Sequence, residues 1–223
     1  MVGKLVGRAL DLLAALYRRA TRMTAEVRGM RVVVENPYPN IDNRFVLGRL
    51  DAALALIERQ QPNRYAHLTR DVRKLWITRY PARGVYFPGE RTVMTEVTFL
   101  NRQDVSTAQL AASILHEGVH ARIHQMGVRL GFKREWPMAE EERLCRRAEI
   151  AFARTLPPDD AAPVLARAEA VIRPTTTNEE AAPTVNWRDA HFNKFALDVE
   201  QLQAPAWAKR ALLAFGRWRL KHD

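Results

Sequence analysis

Residues 106–127 read STAQLAASILHEGVHARIHQMG. Ser106 followed three residues later by Gln109 makes a capping box, so a helix starts here. Leu110, Ile114, Leu115, Val119 and Ile123 supply its apolar packing, and Gly127 is the expected stop. His116 and His120 lie four apart and therefore on one face. Glu117 is offset by about 100° around the axis. Burying three ionisable groups in the middle of such a helix is costly without a purpose. The spacing supplies one: two imidazoles aim at one ion, and the carboxylate beside them reaches an ion-bound water. That is the logic of H-E-x-x-H, two zinc ligands and one general base.

A catalytic zinc needs a third protein ligand and an open position. His124 continues the series, but it lies ~6 Å further along the axis, and three ligands in a line do not converge on one tetrahedral ion. Nor does the longer H-E-x-x-H-x-x-G-x-x-H pattern fit, since positions 123 and 126 are Ile and Met. The next helix offers better donors. It follows Pro137, reads MAEEERLCRRAEIAFARTL and ends before Pro157 and Pro158. Glu140, Glu141 and Glu142 all suit a helix N-terminus, yet one of them can face the metal. Glu142 shares a face with Cys145, Glu149 and Phe152; Glu141 shares one with Cys145, Ala148 and Phe152. Periodicity leaves Glu141 and Glu142 both open. Cys145, between Leu144 and Ala148, reads as a core thiol.

Outward from these helices the chain mixes both kinds of element. Residues 1–26 carry a stripe at Leu5, Ala9, Leu12, Leu13 and Leu16 and read as an amphipathic helix. It either packs on the domain or makes peripheral membrane contact through residues 1–20. VRGMRVVVENPY (27–38) reads as a strand, residues 43–61 as a helix stopped by Pro62, and 63–72 as a short helix. KLWITRY, GVYF and RTVMTEVTFL read as strands separated by PARG and PGE. The fold class expected is α+β, with a small mixed sheet of three or four strands. The catalytic domain spans 27–157. A helical extension covers 158–223, with a polar linker at 173–186.

The chain has 223 residues, a net charge of +10 and one cysteine. One cysteine excludes a disulfide framework and a four-cysteine zinc ribbon, and points to a reducing, cytoplasmic setting. The positive charge raises the prospect of an anionic partner. The basic residues are spread along the whole sequence without a block of five or six, which argues against nucleic acid as the main partner. The alternative to an enzyme is a non-catalytic basic module that binds nucleic acid or an acidic partner, with HEGVH structural or metal-binding only.

HEGVHARIHQMG followed by EERLCRRAEIAFARTLP resembles the zincin metallopeptidases of the gluzincin type, over roughly residues 85–157. It is also similar to small bacterial proteins with H-E-x-x-H-A-R and a downstream E-R-x-C segment. The resemblance implies Zn²⁺ held by His116, His120 and a glutamate on the second helix, which falls on Glu142. It implies Glu117 as general base in peptide hydrolysis. Glu149, on the same face as Glu142, is the expected acid that steadies a ligand histidine. The oxyanion donor is open among Tyr80, Tyr86, Arg146 and His191. In zincins an edge strand beside the metal helix pairs with extended substrate; carried over, that strand falls on residues 95–100, with Thr95, Val97 and Phe99 lining the cleft.

Overall fold

Two six-residue runs, the second rich in valine, flank Arg28 and Gly29. In the computed structural model, which describes residues 22–130, 138–172, 196 and 206–222, they form strands β1 (Arg22–Val27) and β2 (Met30–Glu35), paired antiparallel. Arg28 and Gly29 take φ values of 48° and 72°, two consecutive positive values as in a two-residue hairpin turn. This corrects two expectations. Residues 22–26 are strand, not helix, and 27–38 is not a single strand. Arg-Gly is a weaker turn signal than Asn-Gly. Residues 1–21 of the expected helix lie outside the described residues.

Helix α1 (Asn43–Gln60) starts at Asp42, whose side chain accepts from Arg44 N. Helix α2 (Pro62–Asp71) has proline in its first turn, where no N–H is needed. Strands β3 (Lys74–Thr78), β4 (Gly84–Phe87) and β5 (Thr92–Glu96) complete a five-stranded sheet of order β1-β2-β3-β5-β4. The inner strands β2, β3 and β5 are parallel; β1 and β4 run antiparallel at the two margins. The fold is α+β, with one strand more than expected because 22–27 joins the sheet.

Strand β5 stops at Glu96 because its carboxylate becomes a helix cap. It accepts from Phe99 N at 2.8 Å and from the Thr98 hydroxyl, and opens the short helix α3 (Val97–Asn101). Next comes α4 (Thr107–Arg129), the helix of HEGVH. Its capping box is present: Ser106 N donates to Gln109 Oε1 at 2.9 Å and Gln109 N to Ser106 Oγ at 3.2 Å. The helix runs two residues past Gly127, to Arg129. Helices α5 (Met138–Ala153) and α6 (Pro158–Ile172) follow.

Val32, Val34, Leu75, Ile77 and Val93 of the sheet join Leu50, Leu54, Ile57, Leu110 and Ile114 of α1 and α4 in one core. Three anchors fix α4. Arg49 of α1 donates to the carbonyls of Leu100, Arg102 and Val105, satisfying the loop that launches the helix. Gly118 sits against α2 so closely that a Cβ there would lie 2.9 Å from Leu68 Cδ1. Asp71, fully buried at the end of α2, holds Arg70 at 3.0 Å, Arg122 at 3.4 Å and Arg129 at 3.2 Å. A buried carboxylate is tolerable only when paired in this way.

The chain divides into two compact units, 1–176 and 177–223. The boundary falls inside the polar stretch 173–186, so α6, expected in the C-terminal extension, belongs to the first unit. In the second unit the described helix α7 (Ala206–His222) exposes Trp207 and Leu212. Most of the helix expected at 187–202 lies outside the described residues. Among the described residues no helix is long and apolar enough to cross a membrane.

The anchors differ in kind and so in cost. Ser106→Ala removes one exposed-end cap and is expected to lower unfolding free energy by about 1 kcal/mol. Asp71→Ala strands guanidiniums around a lost charge and is expected to cost about 3–5 kcal/mol. Urea unfolding midpoints of the two variants check both the values and their order.

Candidate metal centre

Helix α4 turns His116 and His120 toward α5. The two ring centroids are 5.1 Å apart. Glu142 spans them: Oε2 is 3.5 Å from His116 Nε2 and Oε1 is 3.2 Å from His120 Nε2. The opposite nitrogens meet other carboxylates. His116 Nδ1 lies 2.8 Å from Glu149 Oε1, and His120 Nδ1 lies 3.3 Å from Glu141 Oε2. The choice between Glu141 and Glu142 that periodicity left open is thus drawn in space. Glu142 faces the point where both Nε2 atoms converge; Glu141 stands behind His120. A carboxylate behind each imidazole fixes tautomer and ring orientation, as around metal-bound histidines.

Glu149 is buried and shares its Oε1 with Arg146, which donates at 2.8 Å. A second Arg146 nitrogen is 3.7 Å from Glu142 Oε2. Arg146 therefore joins the two glutamates of α5. Its two terminal nitrogens face carboxylates, while its buried Nε has no hydrogen-bond partner among the described residues.

Glu117 leaves the axis on another side, toward the sheet. Gly84 of β4 lies against it, and a Cβ at that glycine would be 3.1 Å from Glu117 Oε1. The Tyr86 backbone lies near the Glu117 carboxylate and weakly favours its charged form. The ladder explains which way this backbone faces. Glu96 N bonds Arg83 O at 2.9 Å, so in this antiparallel pair residues 83, 85 and 87 carry the bonds to β5. Gly84 and Tyr86 then direct their N–H and C=O groups to the outer edge, on the side where Glu117 lies.

The centre favours positive charge. Burial opposes a proton on His116, but the bonds to Glu142 and Glu149 outweigh it and raise its pKa to about 9. In His120 burial likewise opposes and Glu142 and Glu117 prevail, so its pKa is raised. The bonds to His116 and His120 hold Glu142 far below the usual carboxylate range. Glu117 behaves oppositely: burial pushes its pKa up, against the pull of the two histidines. Burial, then the surrounding glutamates, push the Cys145 thiol above its ordinary range. Four carboxylates converge here on two imidazoles and Arg146, an environment that suits a dication.

The expected cleft residues fall elsewhere. Thr95 lies in the inner strand β5 opposite Gly84, and Val97 and Phe99 belong to α3; all three are buried. The edge beside α4 is β4, because the chain reaches the margin first and then turns back inside it. Tyr80 packs edge-on against Phe87 and Tyr86 against His124. His191 lies outside the described residues. The sequence reading missed Gly84 and the Tyr86 backbone. A glycine opening the run GVYF was the available signal, since glycine in a strand marks close approach. Comparison with known protein families, with curated proteins and with solved structures returns no match.

The protonation pattern sets a pH profile for the metal-free chain. His116 titrates higher in the folded state, so its stabilisation is complete below pH 6.5 and is lost as pH rises through about 9. Glu142 titrates lower, so its stabilisation is present above pH 4.5 and is lost as pH falls through its depressed folded value. The thermal midpoint is expected to peak between pH 4.5 and 6.5. Glu142→Gln should flatten both flanks in a melting series across pH.

Proposed function

We propose that the chain is a zinc-dependent hydrolase, a metallopeptidase with Glu117 as general base. One observation carries the reading. His116, His120 and Glu142 bring three donors to one point, while Glu117 stands apart on the side of the sheet edge. The donor set fits zinc, which takes nitrogen and carboxylate oxygen and leaves a catalytic position open. Bound there, zinc would polarise a scissile carbonyl and acidify a water.

The remaining steps belong to the chain's own groups. Glu117 accepts the proton of the attacking water and delivers it to the leaving amine. Its raised pKa suits a group that both takes and returns a proton. The Tyr86 backbone lies near that carboxylate and weakly favours its charged form. Glu149 and Arg146 keep His116 and Glu142 in register. Extended substrate has β4 to pair with, since Gly84 turns its peptide groups outward. Gly84 also keeps that edge low enough for Glu117 to reach over it. The single cysteine fits a cytoplasmic setting.

The rival reading, a basic module without turnover, has the arginines around Asp71 behind it. It predicts binding to anionic polymers that falls steeply with salt. Those arginines are tied to a buried carboxylate that joins α2 to α4, and this role accounts for them.

Metal content by mass spectrometry tests the proposal. Tag-free wild type, Glu117→Gln and Glu141→Gln are expected to carry near-stoichiometric zinc; His116→Ala and Glu142→Gln are expected to lose it. With a cleavable peptide found, Glu117→Gln should lower turnover by about 10²–10⁴-fold at full zinc content. Gly84→Ala should also depress turnover with zinc retained, because its Cβ displaces Glu117. Wild type that takes up no zinc after reconstitution sinks the reading.

A further inference from the structure

Cys145 lies one turn beyond Glu142 on α5 and has no exposed surface. One ligand atom from each of His116, His120 and Cys145 lies within 4.8 Å of the other two. A buried thiol on an amphipathic helix is ordinarily core filling. Cys145 is buried like the core residues of its helix, and it also lies beside ligand atoms of the two histidines. Its neighbours of chemical interest are two imidazoles and the carboxylate that bridges them.

Resting on the metal-site reading above, we propose that Cys145 Sγ is a fourth protein donor to the ion held by His116, His120 and Glu142. The spacing suits it. Donors around a tetrahedral zinc stand about 3.3–3.8 Å apart, given bonds of roughly 2.0–2.3 Å. The His116, His120 and Cys145 donors, already within 4.8 Å of one another, close to that spacing with small side-chain movements. Two facing helices each supply a pair, α4 at spacing four and α5 at spacing three, and both spacings put the pair on one face. Paired donors on facing helices are a recurring way to build a metal site.

Depth separates the four donors. Cys145 is fully buried and His116 nearly so, while the Glu142 side chain is 32% exposed. The sulfur therefore forms the floor of the site and Glu142 the mouth. Solvent and substrate enter on the Glu142 side, where the carboxylate bond is the one that yields, or the coordination number rises by one. Charge agrees as well. A thiolate and a carboxylate together neutralise a dication, which a buried site favours. Sulfur also shifts metal preference toward zinc, cobalt and cadmium and away from magnesium, calcium and manganese.

Cobalt(II) loaded into the metal-free full-length chain gives a direct readout. A cobalt–thiolate bond shows as a near-ultraviolet charge-transfer band. Cys145 is the single cysteine of the sequence, so a protein band has one possible source. Wild type is expected to show the band, and Cys145→Ala to bind cobalt without it. Cys145→Ala should also weaken zinc binding by roughly a hundredfold in chelator competition. Cobalt bound stoichiometrically without the band would overturn the thiolate and leave the three-donor site standing. No metal uptake at all would overturn both. If Cys145→Ala does not fold by circular dichroism, the wild-type spectrum alone decides.

Discussion

An ionisable group in a helix interior has to meet a partner wherever the helix is buried, and α4 is buried at 116 and 117. Most of the surrounding architecture answers that requirement. Helix α5 brings Glu142 and Glu149 to the imidazoles, with Arg146 between the glutamates. Strand β4 brings a glycine and the Tyr86 backbone to Glu117. The same constraint separates the roles: the histidines are drawn toward positive charge by carboxylates, and Glu117 is pushed toward neutrality by burial.

A site of this kind works only if its elements are held still. Helix α4 is fixed along its length. The capping box and the Arg49 guanidinium hold its start, Gly118 lets it lie against α2 in the middle, and Asp71 grips its last turns. The candidate side chains thus stand on an element held at both ends and in the middle. Helix α5 is held through Phe152 and Ala153 in the core.

Legibility in the sequence follows from range. The α4 capping box, the stop of α1 at Pro62 and the helix behind Pro137 were readable because each signal lies within a few residues of its effect. The histidine pair was readable because a helix converts spacing into direction. The β1–β2 hairpin was missed because Arg28–Gly29 is an uncommon turn dipeptide. The end of β5 was missed because Glu96 is a capping residue inside an apolar run, and propensity alone extends the strand. The order of β4 and β5 is a matter of topology, which no local pattern encodes. It puts Thr95, expected at an edge, in an inner strand, with Val97 and Phe99 buried in α3. The choice between Glu141 and Glu142 required helix packing; at one residue's separation their faces overlap too far for periodicity to divide.

The inversion of β4 and β5 bears on how the margin beside α4 is held. Strand β4 precedes β5 in the chain but lies outside it, and β5 is its one partner strand. The two strands are near neighbours in sequence, so they can pair as a hairpin and join β3 together. The backbone that lies against Glu117 is secured on one flank by that local ladder and meets helix side chains on the other. A change that loosens the β4–β5 pairing would disturb Gly84 and Glu117 while the parallel strands β2 and β3 kept their register.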